Sequence, residues 1–472
     1  MLPHETRNKR TGRPPRAKSA AHHTPSTPRL PPELCDMVID HLFDDKPSLA
    51  MCSLVSHSWL RAARYHLFDS ICVHCEKDAN AFENFLGYLR STPSIRAYIK
   101  DVCFDGFHEG DPEAEELEDT LESTYLSAVT ALLPAVHSYT FINCQWGRSA
   151  DEASACGLVP LRSLHINSFV AASEDAKNKL RILRHFSHIE HLHLANMWLG
   201  HFGVDEHDGD GASCDDRPGA PAETRVRKMS LSMANICLNF LEYLRVQPFM
   251  KSLQSFRVVD LFHADYLEEH QDLTFVGELL RDRLSSTLEE LNLELPRLAE
   301  GESAEIYSQL NLSSCQALRN VILRMPVRRE IDAVDAETAR EQADGTGTSA
   351  EPSGIPVPAP SKPGLFTLEE WRAPLAILSQ LPTNTKSVSL NVELEGTNDA
   401  IYTHLREKVD WQQLDSILAK LPALESFSLR RVKEQLPYTA PWTKAQHDLI
   451  IRKLPSLRER QVLGCRWNSG VQ

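Results

Sequence analysis

The sequence predicts an α+β repeat protein: a small three-helix domain near the N-terminus, then an irregular α/β solenoid in which helices alternate with short parallel strands. Three observations carry this expectation. Residues 30–72 hold three helical signals in succession. From about residue 73 an apolar motif of the form L-x-x-L-x-L keeps returning, at intervals too long for a helix or strand period and therefore marking a repeat. Several copies follow a helical stripe that breaks before the motif, as in SILAKLPALESFSL, ILSQLPTNTKSVSL and LRHFSHIEHLHL. Such a helix–strand unit cannot bury its apolar side alone, so successive units stack and share one core.

Composition sets the class. With 472 residues, 42% of them hydrophobic and 24% charged, the chain has apolar sequence enough for two or three folded domains. No run approaches the ~18–20 apolar residues that span a bilayer, and the N-terminus is charged and Pro-rich where a secretion signal needs an apolar stretch. A cytoplasmic and/or nuclear location with no membrane partner is expected. Eleven cysteines, an odd number scattered along the chain, fit reduced thiols better than a disulfide framework. A net charge of −15 argues against nucleic acid as the partner of the surface at large.

Residues 1–29 set Arg7, Lys9, Arg10, Arg13, Arg16, Lys18 and Arg29 against one acid, Glu5, with prolines interleaved. That is the composition of a disordered basic tail, and it leaves the rest of the chain more acidic than the whole.

The first helix opens at Pro31 and Pro32, which suit a first turn, and Leu34, Val38 and Leu42 recur at i, i+4 and i+8. Asp44, Asp45, Lys46 and Pro47 break it. Leu49, Cys52 and Val55 (or Leu54) give a second stripe, started by Pro47 and Ser48. Ser56 or Ser58 can cap a third helix, whose stripe is Trp59, Ala62, Ala63, Leu67 and Phe68. Three helices of this length bury little apolar area by themselves, so an exposed Leu/Val/Trp face needs a partner to cover it.

The Leu-Pro-x-Glu-Leu run at 30–34, the pair Leu54-Val55, and Trp59 followed by Arg61 resemble the F-box in the variety abundant in fungal proteins. In that family the equivalents of Leu30, Pro31, Leu34, Val38, Leu42, Leu54 and Trp59 contribute to an apolar surface that docks on the Skp-type adaptor of a cullin–RING ubiquitin ligase. The resemblance implies the same role for these residues here.

The repeat motif is clearest at Leu161/Leu164/Ile166, Ile189/Leu192/Leu194, Leu253/Phe256/Val258, Leu288/Leu291/Leu293, Leu318/Val321/Leu323 and Leu424/Phe427/Leu429. Weaker copies are Ile99/Val102/Phe104, Val136/Tyr139/Phe141, Val226/Met229/Leu231 and Val388/Leu390. The series resembles the leucine-rich repeats that often follow an F-box. It departs from their regular pattern, because copies are spaced 28 residues apart from Leu161 to Ile189 but 35 from Leu253 to Leu288. The Asn or Cys three places after the motif is clear only as Cys144 after Phe141. A distorted solenoid over residues 73–472 is therefore expected, with flexible insertions at 200–225 and 330–364. The acidic run DPEAEELED at 111–119 starts a helix whose apolar face is Leu121, Tyr125, Val129 and Leu132.

Residues flanking the fourth-place apolar group point away from the core. That rule puts Ser163 and His165, His191 and His193, Lys228 and Ser230, Ser255 and Arg257, Glu290 and Asn292, and Arg324 on one face, the candidate surface for a target protein. Lys228, Arg257 and Arg324 suit an acidic or phosphorylated segment there.

Signatures of catalysis are missing: the sequence has no HExxH, GxSxG, P-loop or Gly-rich dinucleotide turn. Cys72-Val73-His74-Cys75 lacks the second ligand pair of a structural zinc site. Of the cluster His185, His188, His191 and His193, the last two alternate onto the outer face of a strand while the first two belong to the preceding helix and turn. In the loop at 206–211 an EF-hand-like start fails at its twelfth position, which is Arg217. No metal, cofactor or enzymatic activity is expected. The reading is a non-catalytic substrate receptor of an SCF-type ubiquitin ligase, bridging a Skp-type adaptor, and through it a cullin, to a target protein. The alternative is a repeat-domain interaction scaffold without a ligase role.

Overall fold

The computed structural model describes residues 31–75, 80–106, 120–121, 123–146, 159–167, 180–197, 224–232, 238–259, 271–295, 304–325, 368–394, 397–433, 436–440 and 442–464. The basic tail, Leu30, residues 111–119, the EF-hand-like stretch and the insertion at 330–364 lie outside them. So does the insertion at 200–225 except for its last two residues. The chain divides into two units between Leu67 and Phe68.

The first unit carries three helices, α1 (Pro32–Asp40), α2 (Lys46–Val55) and α3 (His57–Phe68, its last residue in the next unit). Pro32 occupies the first turn of α1. The second helix is capped by Asp45, whose carboxylate accepts from the Ser48 amide at 3.1 Å. In α3 the Ser56 hydroxyl accepts from the Trp59 amide at 3.4 Å. Cys35, Ile39, Leu49 and Ala63 form the buried centre. An Asp40–His66 contact of 2.8 Å ties α1 to α3.

The second unit is built on a twelve-stranded sheet. Its strands are β1 (Ser70–His74), β2 (Asp101–Asp105), β4 (Ser138–Ile142), β6 (Val159–Asn167), β7 (Phe186–Ala195), β8 (Arg225–Ser232), β9 (Ser255–Val259), β10 (Glu290–Glu294), β11 (Asn320–Met325), β12 (Ser387–Glu393), β13 (Ser426–Lys433) and β14 (Leu436–Ala440). Two shorter strands, β3 (Thr120–Leu121) and β5 (Gln145–Trp146), make a separate parallel pair. Sheet order follows chain order. Every pairing from β1 to β13 is parallel, and β14 turns back antiparallel on β13.

The register explains the motif. In one row Val102, Tyr139, Leu164, Leu192, Met229, Phe256, Leu291, Val321, Val388 and Phe427 stand side by side across the strands. A second row, from Phe104 through Ile166 and Leu293 to Leu429, lies two residues further along, and both rows are buried. Every repeat copy lies in these rows. At the weak copy Val388/Leu390 the first place is taken by Thr385, fully buried, whose hydroxyl donates to the Pro382 carbonyl at 2.8 Å.

Helical segments fill the connections, among them Ala81–Ser91, Ser123–Leu132, Leu238–Val246, Gln271–Leu279, Leu368–Leu378 and Trp411–Ala419. Their apolar stripes pack on the buried rows. Phe104 meets Phe82 edge-on, ring centroids 5.4 Å apart, and stacks on Phe141 at 5.5 Å. At Gly277 two connections approach closely, since a Cβ there would stand 2.2 Å from the Gln309 carbonyl oxygen.

Three expectations need correction. His188, assigned to the helix and turn before the strand, lies within β7. The sheet begins at β1, before residue 73: Phe68, Ile71 and Val73 are themselves an L-x-x-L-x-L copy at the end of α3. Leu121, expected on a helix face, is buried in β3, and the helix starts at Ser123.

Candidate functional site

Two surfaces carry the residues singled out by the sequence. The first is on α1–α3. Because Cys35 and Ile39 take the inward face of α1, Leu34 and Val38 turn outward, 46% and 45% exposed. Leu54 is 79% exposed, Leu42 and Trp59 are half-buried, and Pro31 is exposed just ahead of α1. The stripe Leu34/Val38/Leu42 therefore marks a helix without being its core face. Met37, Phe43, Met51 and Val55 are exposed large apolar residues as well, and sequence reading did not single them out as docking residues. Exposed apolar groups at this density on so small a unit are a feature of docking surfaces.

The second surface is the face of the long sheet turned away from the core. Ser163 and His165 lie on β6, His191 and His193 on β7, Lys228 and Ser230 on β8, Ser255 and Arg257 on β9, Glu290 and Asn292 on β10, and Arg324 on β11. All alternate with buried apolar residues. The register sets Ser163 beside His191 and Lys228, and His165 beside His193, Ser230, Arg257 and Asn292. Arg324 stands apart from Lys228 and Arg257, paired in register with Glu294 across β10 and β11. Asn292 is buried, and no hydrogen-bond partner of its Oδ1 is found among the described residues.

The rings of His165 and His193 are 5.5 Å apart, centroid to centroid. Burial lowers the pKa of His165. The same cause, followed by the neighbouring His165, His191 and Arg257, lowers that of His193. His191 is lowered by burial and Lys228, against the opposing pull of Glu190. All three rings therefore favour the neutral form at pH 7.

Along the same face the acidic side chains fall on particular strands. Asp101 and Asp105 are on β2, Glu290 and Glu294 on β10, and Glu393 on β12. His74 Nδ1 lies 3.1 Å from Asp105 Oδ2. The CxxC is split by the strand: Cys72 faces outward beside Cys103 of β2, while Cys75 is buried. Burial pushes the Cys72 and Cys103 thiols up, so neither is activated as a nucleophile. Among the described residues no three His, Cys, Asp or Glu side chains are gathered to hold a metal ion. No described helix is long and apolar enough to cross a membrane.

Asparagine enters the turns at places the repeat pattern did not anticipate. Asn143 and Asn196, at φ of 51° and 50°, follow β4 and β7, and Asn196 Nδ2 donates to Asn167 Oδ1 at 2.9 Å. Their signal was available as single Asn residues one or two places after the last apolar position.

No family model matches the chain, and no curated protein matches it by sequence. Solved structures that match it include the leucine-rich repeat-containing protein LegL7 from Legionella pneumophila, 12% identical, with a TM-score of 0.36, 82% of this chain and 97% of that chain being covered.

Proposed function

We propose that the chain is a non-catalytic bridge, the substrate receptor of an SCF-type cullin–RING ubiquitin ligase. The α1–α3 face holds a Skp-type adaptor, and through it a cullin, while the outer face of the sheet holds the target. Rate enhancement comes from bringing the target near a loaded ubiquitin-conjugating enzyme, so the chain needs no reactive group of its own. The observation that carries the reading is the exposure of large apolar side chains on α1 and α2, Leu34, Val38 and Leu54 among them; Leu30 and Trp59 are assigned to the same surface by the F-box resemblance. Leaving such a face in water is unfavourable by about 25 cal/mol per Å² of apolar area, which a docked partner removes.

Co-purification of the full chain with a Skp-type adaptor tests this. Leu34→Asp and Leu54→Asp should each abolish adaptor binding while the circular dichroism spectrum is unchanged. Full adaptor binding in both variants defeats the reading, and the chain is then a repeat-domain scaffold with no ligase role.

A further inference from the structure

We propose that the outer face of β4, β6, β7, β8 and β9 is the seat of a short acidic polypeptide segment, and that this is how the sheet engages its partner. The inference rests on the reading of this face as a partner surface and adds the chemistry and limits of the site. On these five strands the register brings Ser138, Thr140 and Ile142, then Ser163, His165 and Asn167, then His191, His193 and Ala195, then Lys228, Ser230 and Ser232, and finally Ser255, Arg257 and Val259 to the outward positions. None is a carboxylate. Acidic side chains flank the strip on both sides, Asp101 and Asp105 on β2 and Glu290 on β10, while Glu294 further along β10 is paired in register with Arg324. The charges at these positions are Lys228 and Arg257, and one place earlier on the strands the exposed Arg162 and Arg227 outnumber the one carboxylate there, Glu190, 3.7 Å from His191. In a chain carrying −15 overall, an acidic partner meets net attraction on this stretch.

The limits give a size. Five neighbouring strands at ~4.8 Å spacing span about 19 Å, the length of about six residues of extended chain. Serine, threonine and asparagine side chains between the charges supply hydrogen-bond partners for its backbone.

The histidines make the site respond to pH. His165 faces Thr140 on one side and His193 on the other. His193 also faces Ser230 and is influenced by His191 and Arg257. His191 faces Ser163 and Lys228, with Glu190, Arg162 and Arg227 nearby, and Glu190 is itself 3.8 Å from Arg227. The three rings are neutral at pH 7 and take up protons as the pH falls, while the carboxylates of a docked segment, with ordinary pKa near 4.3, stay charged to about pH 5. Acidification therefore tightens binding.

The test uses the purified full chain and a fluorescein-labelled peptide with six consecutive Glu flanked by Gly-Ser, against its Gln and phosphoserine counterparts, by anisotropy in 0.15 M salt. The Glu peptide is expected to bind, the Gln peptide at least tenfold more weakly, and the Glu peptide roughly tenfold more tightly at pH 5.5 than at pH 7.5. Lys228→Glu with Arg257→Glu should cost at least tenfold, whereas Arg430→Glu on β13 should cost nothing. Lys228→Gln with Arg257→Gln serves if the reversal disturbs the circular dichroism spectrum. No binding, equal binding of the Gln peptide, binding of the phosphoserine peptide alone, or indifference to pH or to the double change overturns the proposal. A separate arm keeps the parent reading distinct: proteins retained from a cell extract that are lost with Ser230→Trp but kept with the double reversal leave the face as a partner surface without this chemistry. Retention unaffected by either removes both.

Discussion

The indole nitrogen of Trp371 donates to Nε2 of His404 at 3.0 Å between two buried side chains. That bond requires Nε2 to be an acceptor, which fixes the imidazole as neutral. Burial, followed by Lys408, pulls the His404 pKa down to about 4. The unfolded chain, with an ordinary histidine near 6.5, binds the proton first, so stability from this pair is complete above pH 6.5 and declines from there toward pH 4 by about 1.4 kcal/mol per unit. Thermal melts at pH 7 and pH 5 should show a larger drop for the natural chain than for His404→Gln. Equal drops would remove His404 as the source.

Gly277 admits no side chain without moving the Gln309 backbone. Gly277→Ala gains helix propensity, yet the clash with a carbonyl should dominate and destabilise by about 1–3 kcal/mol. A urea titration showing an unchanged or higher midpoint would contradict the close approach.

Asp415 is buried and accepts from the hydroxyl of Ser456 at 2.7 Å and its amide at 3.3 Å, fastening the helix Pro455–Glu459 to Trp411–Ala419. Asp415→Ala should cost about 1–3 kcal/mol and loosen the last helix first. Faster amide exchange confined to residues 455–464 is the expected signature, and uniform protection would exclude it.

On the small helical unit, position rather than polarity should decide the outcome. Leu54→Asp falls on an exposed side chain and should change the melting temperature little, whereas Ile39→Asp puts a charge where exposure is 0% and should unfold α1–α3. Comparable melting of the two variants would show that the inward and outward faces have been misassigned.

The solenoid was legible because its signal is redundant: Leu, Ile, Val, Phe and Met serve equally in the two buried rows, and each copy repeats the others. Legibility failed where one residue served two patterns. Phe68 closes the stripe of α3 and opens the repeat motif of β1, so a reading by periodicity assigned it to the helix alone. Thr385 weakened its copy because a polar group occupies an apolar place, and only the Pro382 carbonyl shows why that is tolerated. The candidate target face was legible residue by residue, since alternation tells which side chains point outward. Its charge pattern was not, because whether Arg324 reinforces Lys228 or faces Glu294 depends on which strands are neighbours and in what register.

Sheet order that follows chain order also shapes how the molecule comes apart. Each strand of the long sheet draws its backbone partners from the strands flanking it in that sheet, and among the described residues no strand pairing joins the two ends of the sheet. Cooperativity is passed along the array from one seam to the next, and a weak seam lets the two sides melt separately. A single melting temperature would then be a property of the seams rather than of the repeats.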